Sequence, residues 1–378
     1  MKCVLLTGAS GVIGSELVPL LLTDDDCELR LLLRAASPSH LAFRLEELFA
    51  DWQTVVPAEV LRTRVRALAG DVREPRMGLE PGPYARLAGK VTHVVHCAGN
   101  VKLNQSLGDA RANAVTAARE VAQFSLASHA CGQLRKIDVV STIGVAGKMS
   151  GLVPERPLIK PREFHNSYEA AKAEAETLLF VWLDGLPLSI HRPSMVVGNS
   201  RNGRVRQFQV FYYLCEFLCG ARTWGIMPDL GNAVLDIVPV DYVAAAICAS
   251  VGRTDAAGRV FHLCSGPGRA VHLCELSATL RELARHRGRR LPRSKVFPRA
   301  WSQRLLSGAG RVARGRLRRS LGALGHFLPY LETRQAFDVA ETTAYFAPLG
   351  ISVPDPWDYL ERVVGFRFDH ARGNPTEP

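Results

Sequence analysis

Hydrophobic positions along this chain alternate between two periods. Short apolar runs at Cys3–Leu6, Glu28–Leu33, Val65–Leu68, Val91–His96, Ile137–Val140 and Leu188–His191 have the length of buried strands. Between them the apolar residues fall at helical intervals. Val12, Ile13, Leu17, Leu20 and Leu21 mark the first such stretch, and residues 39–66, about 104–131, and 166–183 mark the others. Six strands alternating with helices predict an α/β fold, a Rossmann-type doubly wound parallel sheet. In such a sheet the ligand crevice lies at the carboxyl ends of the strands. Gly70-Asp71-Val72, Cys97-Ala98-Gly99-Asn100-Val101, Ser141-Thr142 and Arg192-Pro193-Ser194 all fall at those ends.

From residue 200 the alternation weakens. An amphipathic helix is expected over 205–222, a short strand at Leu235–Val238, and a helix over 240–252. A strand at Arg259–Leu263 and a helix over 273–286 follow, then a tail with Phe337, Tyr345, Trp357 and Tyr359. The pattern divides the chain into a cofactor domain, 1–200 with a return at 235–264, and a smaller, mostly helical C-terminal substrate lobe. That lobe takes 201–234 and 265–378. No internal repeat or long low-complexity linker interrupts either part.

Composition changes this picture little. The chain has 378 residues and is 47% hydrophobic, which suits one large or two closely linked domains. No apolar run approaches the roughly 20 residues that span a bilayer, and the first residues already form a core strand, so no leader is expected. The nine cysteines are scattered without a Cys-x-x-Cys pair. Cys215 and Cys219 lie on one apolar helix face with nothing to complete a zinc site, so no metal is expected. Reduced, buried thiols fit a cytoplasmic setting. Charge adds more: of a net +11, residues 281–320 contribute 14 Lys/Arg against the single acid Glu282, leaving the rest slightly acidic.

Two stretches carry chemistry. In Thr7-Gly8-Ala9-Ser10-Gly11-Val12-Ile13-Gly14 a strand enters a glycine-rich turn and a helix leaves it, the opening unit of a dinucleotide site. Gly8 allows the turn, Gly11 lets backbone approach a pyrophosphate, and Gly14 lets the helix lie close on the sheet. Gly8, Ser10, Gly11, Val12, Ile13 and Gly14 are the expected cofactor contacts, with helix N–H groups facing the anion. Arg34 ends the second strand where an acid would select NAD; a guanidinium suits a 2′-phosphate and favours NADP(H) over NAD(H), with Arg30 or Arg44 assisting. The second stretch, Tyr168-Glu169-Ala170-Ala171-Lys172, puts a phenol and an ammonium on one helix face. The ammonium is expected to lower the phenol's pKa and ready it for proton transfer at a carbonyl receiving hydride.

These motifs, with Gly70-Asp71-Val72, Ser141-Thr142 and Arg192-Pro193-Ser194 in order over roughly the first 240 residues, resemble the extended short-chain dehydrogenase/reductase superfamily. The resemblance implies Asp71 and Val72 near the adenine and Ala98 and Gly99 against the ribose. It implies Thr142 as hydroxyl partner of Tyr168, Lys172 on the nicotinamide ribose, and Pro193, Ser194 and Val196 beside the nicotinamide. Asn113 stands where the family often has Asn-Val-x-Gly-Thr, but Gly-Thr is missing, so that helix is expected to pack differently. Three stretches, 96–104, 140–145 and 235–243, are similar to fatty acyl reductases and thioester reductase domains. They imply reduction of an acyl-CoA or carrier-bound acyl thioester to an aldehyde or alcohol. Phe208, Phe211, Tyr212, Phe217 and Trp224 then either wall the acyl site or belong to the ordinary core.

Other readings stay open. One is a ketone or alcohol oxidoreductase of a secondary metabolite, or a nucleotide-sugar epimerase or dehydratase. A non-catalytic cofactor-binding protein is another, which the intact Thr142, Tyr168 and Lys172 set argues against. His96 and His191 read as core histidines, Asp236 and Asp241 as turn and cap residues, and Lys102 as a candidate contact for a substrate phosphate. The basic stretch 285–319 offers an acyl carrier protein or an acidic membrane surface a docking face; nucleic acid is not expected. The oligomeric state is not legible.

Overall fold

The computed structural model describes residues 1–221, 225–297 and 335–370. Seven parallel strands form one sheet. From edge to edge they are Val260–Leu263, Leu188–Pro193, Lys136–Val140, His93–His96, Lys2–Thr7, Cys27–Leu33 and Val65–Ala69. All six strands of the repeating pattern are present, and the one expected at 259–263 closes the edge beside Leu188–Pro193. The chain winds outward from Lys2–Thr7 to Val65–Ala69, then returns to the opposite side at His93–His96. That reversal opens the crevice between the first and fourth strands.

Helices Val12–Leu21, Pro38–Trp52 and Val240–Val251 bury one face of the sheet around Leu17, Phe49, Trp52 and Ile247. Helices Ala117–Ala130 and Ser167–Trp182 bury the other around Phe124, Ile137 and Leu179. A third cluster gathers Val210–Leu218, Leu273–His286 and Pro356–His370 around Phe211, Leu280 and Tyr359. Pro19 lies inside the first helix and leaves the Ser15 carbonyl without its helical donor. The Trp52 indole N–H donates to that carbonyl at 2.8 Å, which repairs the helix and docks its neighbour.

Local chemistry explains where elements are shorter than their apolar patterns. The span 39–66 breaks at Pro57, whose extended backbone starts a second helix, Ala58–Arg64. The helix expected over 205–222 runs only from Val210 to Leu218. Arg206 before it is drawn to Asp51, and Gly220 behind it takes φ +74° to close the last turn. The stretch 104–131 is three pieces, with a π-helical turn at Ala112–Thr116 between Leu107–Arg111 and Ala117–Ala130. The turn falls at Asn113, where the sequence leaves the family pattern. The strand at 235–238 is split by Asp236, whose carboxylate accepts the Ser265 and Gly266 N–H groups.

Late segments return to the loop that follows Thr142. Gln335–Phe337 pairs in parallel with Gly151–Val153, and the Gln335 side chain donates to the Met149 carbonyl at 3.0 Å. Glu155 reaches across to the helix Ala340–Phe346, accepting from the Glu341 and Thr342 N–H groups and the Thr342 hydroxyl. Of the basic stretch, only 281–297 lies within the described residues. There Arg281 donates to the Cys219 and Pro292 carbonyls, and Arg289 lies over the Phe368 ring. These two guanidiniums brace the fold; the part of 285–319 from 298 onward lies outside the described residues.

A buried ionic cluster joins the two strands that carry Thr142 and Arg192. Lys136 Nζ donates to Asp138 at 2.8 Å and to Ser189 at 2.8 Å, while His191 Nε2 and the Ser250 hydroxyl also meet Asp138. Burial alone would raise the Asp138 pKa, but Lys136 and His191 outweigh it and hold the carboxyl at about 2. Asp138→Asn strands a buried ammonium, so urea denaturation should show a loss of about 3–5 kcal/mol at neutral pH. The folded carboxyl lies below its unfolded value, so its contribution is present above about pH 4 and is lost as pH falls towards 2. The gap between wild type and variant should narrow over that window; a gap constant with pH would refute the assignment.

Candidate active site

The crevice begins where two strand ends touch. Gly8 has φ +80°, and a Cβ there would lie 2.6 Å from the Ala98 nitrogen. A Cβ on Gly14 would lie 2.2 Å from the Gly8 carbonyl oxygen. Both glycines are therefore fixed by backbone approach, beyond the turn that sequence spacing implies. The Thr7 hydroxyl bonds His96 Nδ1 at 2.8 Å and accepts the Ala98 N–H at 3.3 Å, locking the contact from within. Burial lowers the His96 pKa to about 3, so it is a neutral core histidine, as its strand position suggests. His191 is likewise buried, bonded to Asp138.

Helix Val12–Leu21 starts at this contact with no side-chain cap and no acid in its first turn. Its free N–H groups and positive dipole end leave a place fitted to a pyrophosphate. Arg44 draws the rim together, donating to the Arg34 carbonyl at 2.5 Å and to the Ser10 hydroxyl at 3.3 Å. Arg34 itself is exposed. Arg30 is not part of this rim: it pairs with Glu28 at 2.6 Å. Asp71 is held by Arg73 at 2.7 Å, which lowers its pKa. Its loop passes through left-handed Arg76 and Met77, with the Arg76 N–H bound by the buried Glu120 at 2.7 Å. These residues fit a dinucleotide.

Opposite this rim stand the groups expected to do chemistry. Thr142 begins the short helix Ile143–Ala146, its hydroxyl oxygen accepting the Gly144 N–H at 3.1 Å. Its hydroxyl also acts on the Tyr168 phenol, favouring the ionised form. Asn166 caps helix Ser167–Trp182 and so fixes where Tyr168 and Lys172 emerge. Lys172 Nζ donates to the Val140 carbonyl at 3.0 Å. One expectation fails. Burial raises the Tyr168 pKa to about 12, the Thr142 hydroxyl offsets only part of this, and the neighbouring Glu169 adds to it. Lys172, turned to Val140, does not lower it. Burial also lowers the Lys172 pKa, with Glu176 and Cys97 opposing the change. The result is a neutral phenol, suited to giving a proton.

Pro193 and Ser194 end a central strand, with the Ser194 N–H donating to the Leu263 carbonyl at 3.1 Å, and Val196 continues in Met195–Val197. Asp241 binds the Ser200 N–H and hydroxyl, so both it and Asp236 are turn-fixing residues. Ala98 and Gly99 lead into a loop held by Gln105, which sequence reasoning missed. Its amide donates to the Lys102 carbonyl at 2.6 Å and its side-chain oxygen accepts Asn113 at 2.8 Å, while its carbonyl accepts the Ser167 hydroxyl at 2.7 Å. A lone glutamine in a loop carries no spacing signal. Lys102 is exposed. Of the two readings of the aromatics, the core holds for Phe211, Tyr212 and Phe217, which are buried in the third core cluster, and Phe208 packs edge-on to Tyr212 at 4.9 Å. Trp224 lies outside the described residues.

With this geometry in hand, residues 6–247 match the family described as male sterility protein. An isonitrile lipopeptide synthase of Streptomyces coeruleorubidus is 31% identical over 271 residues, covering 70% of this chain and 18% of that protein. A glycine betaine reductase of Emericella nidulans is 26% identical over 275 residues, covering 69% of this chain and 21% of that protein. The chain thus spans about a fifth of the length of these relatives. The crystal structure of the terminal R domain from the myxalamid PKS-NRPS biosynthetic pathway shares the fold, with a TM-score of 0.79 at 24% identity. That match covers 100% of this chain and 93% of the other.

The raised Tyr168 pKa gives a direct test. The phenolate absorbance lost in Tyr168→Phe, read as a wild-type-minus-variant difference, should appear only as pH approaches about 12. A phenolate already present near neutral pH would contradict the geometry.

Proposed function

The chain belongs to the male sterility protein family, within the extended short-chain dehydrogenase/reductase superfamily of NAD(P)-dependent oxidoreductases, and on that premise we propose that it is an NADPH-dependent reductase of a carrier- or coenzyme A-bound acyl thioester. The observation that carries this reading is the placing of Thr142, at the start of its short helix, with Tyr168 and Lys172 on one helix face at the strand ends. Its sequence similarity to a lipopeptide synthase and to a reductase supports an acyl substrate.

When bound, the nicotinamide supplies hydride to the thioester carbonyl carbon. Tyr168 and Thr142 hydrogen-bond the oxygen on which negative charge develops, and the neutral phenol gives it a proton. Lys172 holds the ribose, and the phenolate left behind takes up a proton from water. The hemithioacetal then expels its thiol and leaves an aldehyde, which a second hydride takes to an alcohol. Ser10, Arg34 and Arg44 form the rim for a 2′-phosphate. A guanidinium pair there favours NADPH over NADH through charge-assisted bonds.

Pure protein with NADPH and a panel of acyl-CoA and acyl-carrier thioesters should consume NADPH and release free thiol. Turnover of a ketone but of no thioester would defeat the proposal. Tyr168→Phe should lower kcat about 10²- to 10⁴-fold while NADPH binding persists. Replacing Arg34 and Arg44 together by Ala should raise the KM for NADPH about tenfold to a hundredfold. The KM for NADH should stay within about twofold, and an equal rise for both cofactors would exclude a 2′-phosphate site.

A further inference from the structure

Beside Lys172 lies a small, mostly apolar cavity into whose lining His96, Ser141, Lys172 and Glu176 bring the polar groups, with Ala114 and Ala118 opposite. Glu176 is one helical turn beyond Lys172 and so shares its face. It is only 4% exposed, yet its carboxylate is fully engaged. One oxygen accepts the Ser141 hydroxyl at 2.7 Å, and the other accepts Arg192 Nε at 3.0 Å and also Arg192 Nη2. Arg192, itself completely buried, continues to the Arg156 carbonyl at 3.1 Å and to His262 Nε2 at 3.2 Å. Ser141 precedes Thr142, and Arg192 precedes Pro193. One carboxylate therefore reaches three crevice segments.

We propose that Glu176 is a positioning residue, the fixed counter-charge of Lys172 and the tie between its helix and the strand ends at Ser141 and Arg192. The inference rests on the reading of Lys172 as the cofactor's ribose ligand. An ammonium placed this deep loses hydration and keeps its proton only against a nearby negative charge. The other groups around it supply none. His96 is neutral, Cys97 is a thiol that burial pushes up to about 12, and Tyr168 is a neutral phenol. Glu169 acts on Tyr168, and Val140 offers only a carbonyl. Glu176 is the largest influence opposing the burial of Lys172, while Arg192 pairs with both oxygens of that carboxylate.

A purely structural Glu176 would affect stability and all activities alike; a counter-charge moves a titration. NADPH affinity of the full chain, measured by fluorescence across pH without substrate, reads Lys172 independently of any thioester. In Glu176→Gln the alkaline weakening of NADPH binding should begin about one pH unit lower than in wild type. Affinity at lower pH should stay within about twofold. Glu176→Asp and Ser141→Ala, which keep the charge, should retain the wild-type alkaline limb. Should Glu176→Gln not fold, Glu176→Gln with Arg192→Gln also removes the guanidinium that the lost carboxylate would strand, and its alkaline limb should still begin below that of wild type. An unmoved limb, a loss of affinity equal at every pH, or failure of both variants to fold overturns the inference. If wild type binds NADPH but turns over no thioester, the functional reading falls while this one stands; if wild type binds no NADPH, both fall.

Discussion

The strand ends at Thr7-Gly8 and Cys97-Ala98 meet backbone to backbone, and the crevice exists because nothing larger than hydrogen fits between them. A side chain at Gly8 would sit 2.6 Å from main chain, so the fourth strand would have to move away from the first. Every later strand is registered against that fourth one, through Lys136–Val140 and Leu188–Pro193 to Val260–Leu263. Displacement at the glycine would pass across the sheet to the ends that carry Thr142 and Arg192. The buried Thr7–His96 bond holds the same approach from the side. A polar pair in the interior is thereby used to set a distance.

Much of this was legible in the chain itself, because burial and period are properties of neighbouring residues. The strands needed only contiguous apolar side chains, and helix Ser167–Trp182 only its Asn166 cap and Ala-rich face. The glycine turn, Tyr168 and Lys172 were readable because turn and helix fix their spacing. What escaped depends on contacts between distant segments. Gln105 binds partners from three stretches, and no local pattern announces it. The phenol's acidity also escaped, since spacing puts Lys172 on the same face as Tyr168 but does not say that its ammonium turns to Val140. Phe211 and Tyr212 were apolar and suitably placed, yet apolarity alone does not separate a pocket wall from a core.

The interior charges divide into two sets with different tasks. Lys136, Asp138 and His191 pair with one another within the sheet and join adjacent strands. Glu176 and Arg192 are equally buried but lie directly under the crevice floor. Burying either pair costs desolvation that its own attraction scarcely repays. For the second pair the return is orientation: a carboxylate bonded on both oxygens cannot rotate, and neither can the groups it holds.

The loop after Thr142 is stitched by residues made much later, Gln335–Phe337 along its edge and Thr342 against Glu155. This has a consequence for the order in which the molecule is completed on a ribosome. All seven strands of the sheet have been synthesised by Leu263, and the glycine turn can close on Ala98 long before. The loop beside Tyr168 has to wait for residues 335–342, which follow the whole sheet. A nascent chain would thus acquire the half that grips a cofactor before the seam around the reacting groups.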